Sequence, residues 1–136
     1  MSNRFANPKT MPAPRGYTQV VETTGPGRTV YLSGQLGMTP GGAFAGPPGD
    51  FRAQATQCFE NLKAGLFSVG GGFEHVVRIT SYLTDIAANA TEFRDVRALY
   101  FKKGTLPTAT LLQVVRLANP AYLLEVEAIA VLPPKG

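Results

Sequence analysis

Two apolar runs near the end of the chain set its pattern. Residues 106–132 read LPTATLLQVVRLANPAYLLEVEAIAVL. β-Branched and aliphatic residues dominate from Thr108 to Arg116, Ala118-Asn119-Pro120 breaks the run, and Tyr122 to Leu132 resumes it. This predicts two strands joined by a short turn. Pro107 has no N–H to give a ladder and suits a strand entrance. In the second strand a period of two places Leu123, Glu125, Glu127, Ile129 and Val131 on one face. Two carboxylates among branched aliphatics have two readings. Either the strand end meets solvent or answers a cation such as Arg116, or one Glu lines a partly desolvated cleft suited to general acid–base work.

The same patterning, read upstream, gives the remaining elements. Tyr17 to Glu22 and Thr29 to Ser33 are predicted strands around the Gly25-Pro26-Gly27 turn, with Tyr31 and Ser33 on one face of the second. A helix is predicted from an Asp50 cap to about Val69, with Ala55, Phe59, Leu62, Leu66 and Val69 as its apolar stripe. Gly70-Gly71-Gly72 follows that helix and precedes a strand, so it reads as a C-cap and turn, not a phosphate loop. His75 to Leu83 forms the third strand. A second helix begins among the capping side chains of 85–89 and runs to about Lys103, with Phe93, Val96 and Tyr100 inward and Arg97 beside them. The 37–49 stretch is a Gly/Pro-rich loop. Residues 1–14, with three prolines and no period, are predicted to be a flexible arm ahead of a single domain over 15–136.

The order β-β-α-β-α-β-β predicts an α+β two-layer sandwich, with both helices on one face of a single mixed sheet. Two helices cover only one face. Apolar residues such as Val77, Ile79, Leu111 and Val115, or their alternates, are then left on the other, which implies packing against further subunits.

Composition narrows the function classes. A chain of 136 residues with 44% hydrophobic content fits one globular domain with a real core. The lone cysteine, Cys58, excludes an internal disulfide or a CxxC site and reads as a small buried hydrophobe. The lone histidine, His75, has no second ligand at metal spacing and reads as a strand-edge residue, so no metal or other cofactor is expected. No apolar run approaches a membrane span and the N-terminus lacks a signal-peptide core, which makes cytoplasm the default. The net charge of +4 comes from scattered residues, so nucleic acid is a poor candidate partner.

The pattern Leu106-Pro107-Thr108-x-Thr110 followed by Leu124-Glu125-Val126-Glu127-Ala128-Ile129-Ala130-Val131 resembles the C-terminal signature of the RidA/YjgF family of reactive intermediate deaminases. The resemblance continues through Arg15-Gly16-Tyr17, Tyr31-Leu32-Ser33-Gly34-Gln35, the 70–72 glycines and Phe93…Tyr100. It implies a chorismate-mutase-like homotrimer with three intersubunit clefts, in which reactive enamines and imines are hydrolysed to a carbonyl product and ammonia. On that likeness Glu127 corresponds to the Glu that orients water and moves protons. Tyr17 reaches into the cleft, and Ser33 and Gln35 line it. The family's carboxylate-clamping Arg corresponds to Ala109, and a frequent Cys to Leu111. Where many members have Asn, this chain has Arg97, which either supplies the missing cation from the helix side or is a solvated residue paired with Glu92 or Asp95. A non-catalytic trimeric module binding a small metabolite or a partner protein is the alternative from a different class. Ribonuclease activity, also associated with the family, finds neither a basic patch nor paired histidines here.

Overall fold

The structure, a computed structural model describing residues 1–136, has an α+β architecture with two helices against a mixed sheet. Its strands are β1 (Ser2–Ala6), β2 (Val20–Thr24), β3 (Arg28–Leu36), β4 (Val76–Leu83), β5 (Thr108–Gln113) and β6 (Leu124–Leu132); its helices are α1 (Phe51–Ser68) and α2 (Ile86–Ala98). The four-stranded sheet runs β3-β6-β4-β5, with β4 and β5 parallel and the other pairs antiparallel. A separate antiparallel pair, β1-β2, replaces the expected fifth strand of one sheet.

Within the first fourteen residues, expected as a flexible arm, five form a strand. Ser2–Ala6 pairs along its whole length with β2, from Ser2 opposite Thr24 to Ala6 opposite Val20. The Asn7 side chain then accepts from the Gln19 amide at 2.8 Å, and Gln19 Nε2 donates to the Pro12 carbonyl at 2.8 Å. The strand is short and polar, and its pairing partner lies across a long connection, so no local period announces it.

Alternation in β6 sorts the sheet into two faces. Leu124, Val126, Ala128, Ala130 and Leu132 are buried beneath the helices, while Glu125, Glu127 and Ile129 face the other way. Ile79, expected on the free face, is 1% exposed on the helix side, and Arg78, Thr80 and Tyr82 take the free face of β4. That free face is therefore more polar than its sequence pattern implied.

Helix α1 begins where predicted. The Asp50 carboxylate accepts from the Ala53 amide at 3.0 Å, one of the four donors a helix start leaves unpaired. Asp50→Ala is expected to cost about 0.5–2 kcal/mol, read as a lower urea midpoint at unchanged slope. At its other end Gly70 adopts φ +77° and the Gly71 amide donates to the Leu66 carbonyl at 2.8 Å, closing the helix in the left-handed turn that glycine permits.

Helix α2 stops at Ala98, short of the expected Lys103. Its last amides tighten to three-residue bonds, Leu99 to Val96 and Tyr100 to Arg97, each at 3.0 Å. This turn drops Phe101 into the core, where its ring meets Phe59 edge-on at 6.2 Å. Strand β5 is likewise shorter than its apolar run. Val115 lies beyond it, 99% exposed.

Candidate active site

Apart from Gln35, the site residues singled out by sequence fall into two hollows on opposite faces of the sheet. The first lies on the free face, holds about 350 Å³, and is lined by Tyr31, Ser33, Arg78, Thr80, Glu127 and Ile129 among others. The second, of about 500 Å³, is lined by Arg15, Tyr17, Ser81, Phe93, Arg94, Arg97, Ala109, Thr110 and Leu111. Strand register explains the division. Glu127 pairs with Thr80, and Thr80 with Thr110, so these three share the free face. Ala109 and Leu111 alternate with Thr110 and share the helix side with their partners Ile79 and Ser81.

Glu127 is fixed from its own face. The Tyr82 hydroxyl donates to Glu127 Oε1 at 2.7 Å, and this bond to the carboxylate, more than burial, raises the phenol above its ordinary value. Tyr82 therefore stays a donor through the neutral range. Tyr82→Phe is expected to lower kcat for any reaction that uses Glu127 by roughly tenfold, with the far-UV spectrum unchanged. Arg78 shares this hollow and donates to Thr110 Oγ1 at 3.0 Å. Neither Tyr82 nor Arg78 was singled out by sequence, because only the β4-β6 register brings them beside Glu127.

Ser33 sits at an irregularity in β3. The register against β6 shifts between Leu32 and Gln35, and this bulge turns the Ser33-Gly34-Gln35 segment. A side chain at Gly34 would collide with the Glu125 carboxylate. Ser33 joins Glu127, whereas Gln35 lines a different hollow beside Asn61 and donates to the Ser33 carbonyl at 3.1 Å.

The second hollow is assembled from three segments. The Thr18 amide donates to the Pro107 carbonyl at 2.9 Å, which seats Tyr17 beside the entrance of β5. Arg97 reaches in from α2, half-buried, with its guanidinium 5.7 Å from the Phe93 ring centroid. It packs against Gly16, whose φ of +76° and missing side chain leave the room. Burial and then the neighbouring Arg94 lower the Arg97 pKa from its ordinary value, with its cationic form retained at neutral pH. Neither Glu92 nor Asp95 pairs with it. The ion pair of the chain is Arg4 with Glu22.

Other candidates lie apart from both hollows. His75 Nδ1 accepts from the Gly72 amide at 3.0 Å. Cys58 is fully buried, and burial pushes its thiol far up. No three His, Cys, Asp or Glu side chains converge in a way that could hold a metal ion, and no helix is long and apolar enough to cross a membrane.

Comparison with known proteins places the chain. The model of the family described as "Endoribonuclease L-PSP" matches residues 8–132. The chain is 33% identical over 126 residues to the RutC family protein slr0709 of Synechocystis, covering 90% of this chain and 91% of that one. It is 37% identical over 109 residues to the 2-iminobutanoate/2-iminopropanoate deaminase of Rattus norvegicus, covering 79% and 75%. The crystal structure of YyfB from Yersinia pestis, a Rid-family protein of unknown function, superposes with a TM-score of 0.88 at 31% identity, over 97% of this chain and all of that one. By sequence and by fold, this chain is a member of the RidA/YjgF family.

Proposed function

We propose that the protein hydrolyses reactive imines and enamines to a carbonyl compound and ammonia, in clefts shared between the subunits of a homotrimer. The observation that carries this reading is the division of the site. One chain presents a Tyr-anchored carboxylate on one face and an unpaired arginine on the other, with β5 as the free sheet edge between them. A second copy lying along that edge supplies its Glu127 to the hollow of Arg97. Tyr31 (77% exposed) and Val115 are the apolar surface such a copy would cover. The relatives named as imine deaminases support the reaction class.

The chemistry asks little of the chain. Arg97 pairs with the carboxylate beside the imine, in place of the cation that Ala109 lacks. Glu127 holds a water against the imine carbon and takes its proton as the C–O bond forms. That proton passes to nitrogen and leaves a carbinolamine; Glu127 then takes the hydroxyl proton and delivers it to the amine, so the C–N bond breaks and ammonia departs as the carbonyl forms. Tyr17 and Ser33 border the reacting groups, and Leu111 with Ala109 forms the apolar wall.

A second arrangement is favoured by one observation: Arg78 shares the Glu127 hollow within a single chain. There it would bind the substrate carboxylate without a partner copy. Hydrolysis of freshly generated 2-iminobutanoate, scored against semicarbazide trapping, separates the two. Arg97→Ala is expected to lower kcat/KM by roughly a hundredfold and Arg78→Gln by much less. Loss confined to Arg78→Gln would favour the single-chain arrangement, and absence of turnover in the wild type would remove the deaminase reading.

A further inference from the structure

The second hollow carries more positive charge than one carboxylate requires. Arg15, Arg94 and Arg97 all line it, and none of them forms an ion pair within the chain. Arg94 and Arg97 lie three residues apart on α2 and so occupy one helix face, while Arg15 comes from the segment that also carries Gly16 and Tyr17. Arg97 is half-buried in the hollow while Arg15 and Arg94 stand exposed at its rim, so an anion that enters meets three cations and no carboxylate in the lining. The hollow's neutral lining does not offset them. Tyr17 and Ser81 contribute hydroxyls, and Ala109, Leu111 and Phe93 contribute apolar surface.

We propose that this hollow selects substrates with two carboxylates, one beside the imine and one at the far end of a short chain. The inference rests on the imine-hydrolase reading of the same site and extends it to a substrate class. Charge complementarity carries it. In the shared cleft the partner copy's catalytic carboxylate offsets one cation, the carboxylate beside the imine offsets Arg97, and a monocarboxylic substrate leaves the third unanswered. A dicarboxylic imino acid completes the balance, with its far carboxylate between Arg94 and Arg15. Planar guanidinium groups suit this task because each can hold a carboxylate through two parallel hydrogen bonds. The volume of about 500 Å³ accommodates a five-carbon diacid.

The test compares 2-iminoglutarate with 2-iminobutanoate, each generated in place from its amino acid and scored by semicarbazide competition. The wild type is expected to favour the diacid in kcat/KM by at least roughly tenfold. Arg94→Gln and Arg15→Gln are each expected to reduce that ratio about tenfold, mainly through KM, and Lys63→Gln, an equal charge change on exposed α1 surface, to leave it unaltered. A wild-type ratio near or below one, or a ratio indifferent to Arg94→Gln and Arg15→Gln, overturns the proposal while leaving the hydrolase reading in place. Calorimetry with 2-oxoglutarate, 2-oxobutanoate and inorganic phosphate separates the two ideas further. Selective binding of 2-oxoglutarate by a protein inactive on both imines would keep the diacid site and remove the hydrolase. Phosphate bound as tightly as 2-oxoglutarate, or no binding of either, overturns the diacid site.

Discussion

Glu127→Gln is expected to lower kcat for imine hydrolysis by at least roughly a hundredfold while leaving the fold and the assembly unchanged. The substitution keeps the shape and a hydrogen-bonding oxygen, so the Tyr82 hydroxyl retains a partner. What disappears is the ability to take a proton from water as it adds. General acid–base groups contribute about 10²–10⁴ in rate, and no other carboxylate lines the Glu127 hollow. The spectrum and the melting temperature distinguish lost chemistry from lost structure: a variant that is inactive and folded supports a catalytic carboxylate. A variant with near wild-type kcat would mean that Glu127 is a structural partner of Tyr82 and nothing more.

Phe59→Ala is expected to cost about 3–5 kcal/mol. Phe59 is fully buried at the junction of α1, α2 and the turn after α2. Its ring stacks on Tyr100 at 5.1 Å and lies 6.1 Å from Phe93, 6.4 Å from Phe73 and 6.2 Å from Phe101. Truncation removes one ring from each of these pairs and leaves a cavity that four surrounding aromatics cannot all collapse to fill. Because a domain of this size is stable by only about 5–15 kcal/mol, much of that margin goes. Phe67→Ala, in the same helix but 81% exposed, serves as the control and should change stability by less than about 0.5 kcal/mol. Equal losses in both variants would contradict the placement of the core. The fold also links this cluster to the site, since Phe93 supports the Arg97 guanidinium from below.

The sequence made the central strands, both helix starts and the α1 stripe legible for a common reason. Each depends on periodicity or on a cap within a few residues, as with Asp50 and Asp85, whose carboxylates accept from the amides of Ala53 and Ala88. What it concealed depends on partners distant in the chain. The β1 strand has no apolar alternation and exists by pairing with β2, across the intervening chain from Ala6 to Val20. The early end of α2 reflects the burial of Phe101, which outweighs a continuing helical pattern through Lys103. At the site, Glu127, Tyr17, Ser33 and Arg97 were visible through family likeness, and the structure seats each of them in one of the two hollows. The family likeness put Gln35 with Ser33 at one strand end, whereas within this chain the bulge between Leu32 and Gln35 turns it toward Asn61. Tyr82, Arg78 and Arg94 carried no signal of their own. Their positions follow from strand register and helix facing, which are properties of the folded chain.

Ala109 stands where the family likeness leads one to expect a clamping Arg, and Arg97 lines the same hollow; on the proposed reading it supplies the missing cation. A lost cation in a desolvated site is worth about 2–5 kcal/mol, so an active protein needs a replacement. Arg97 is suited to the task by its lack of a carboxylate partner and by the wall that Phe93 and Gly16 give it.

Mixing two inactive variants tests the shared cleft most directly. Glu127→Gln and Arg97→Ala subunits are unfolded together, refolded as mixed assemblies and assayed on 2-iminobutanoate. If each cleft takes its arginine from one copy and its carboxylate from another, about a quarter of the clefts in an equal mixture contain both intact groups. Activity should return to that level although each parent remains inactive. Mixed assemblies as inactive as the parents, with subunit exchange verified by mass, would place both groups in a single chain and contradict the account.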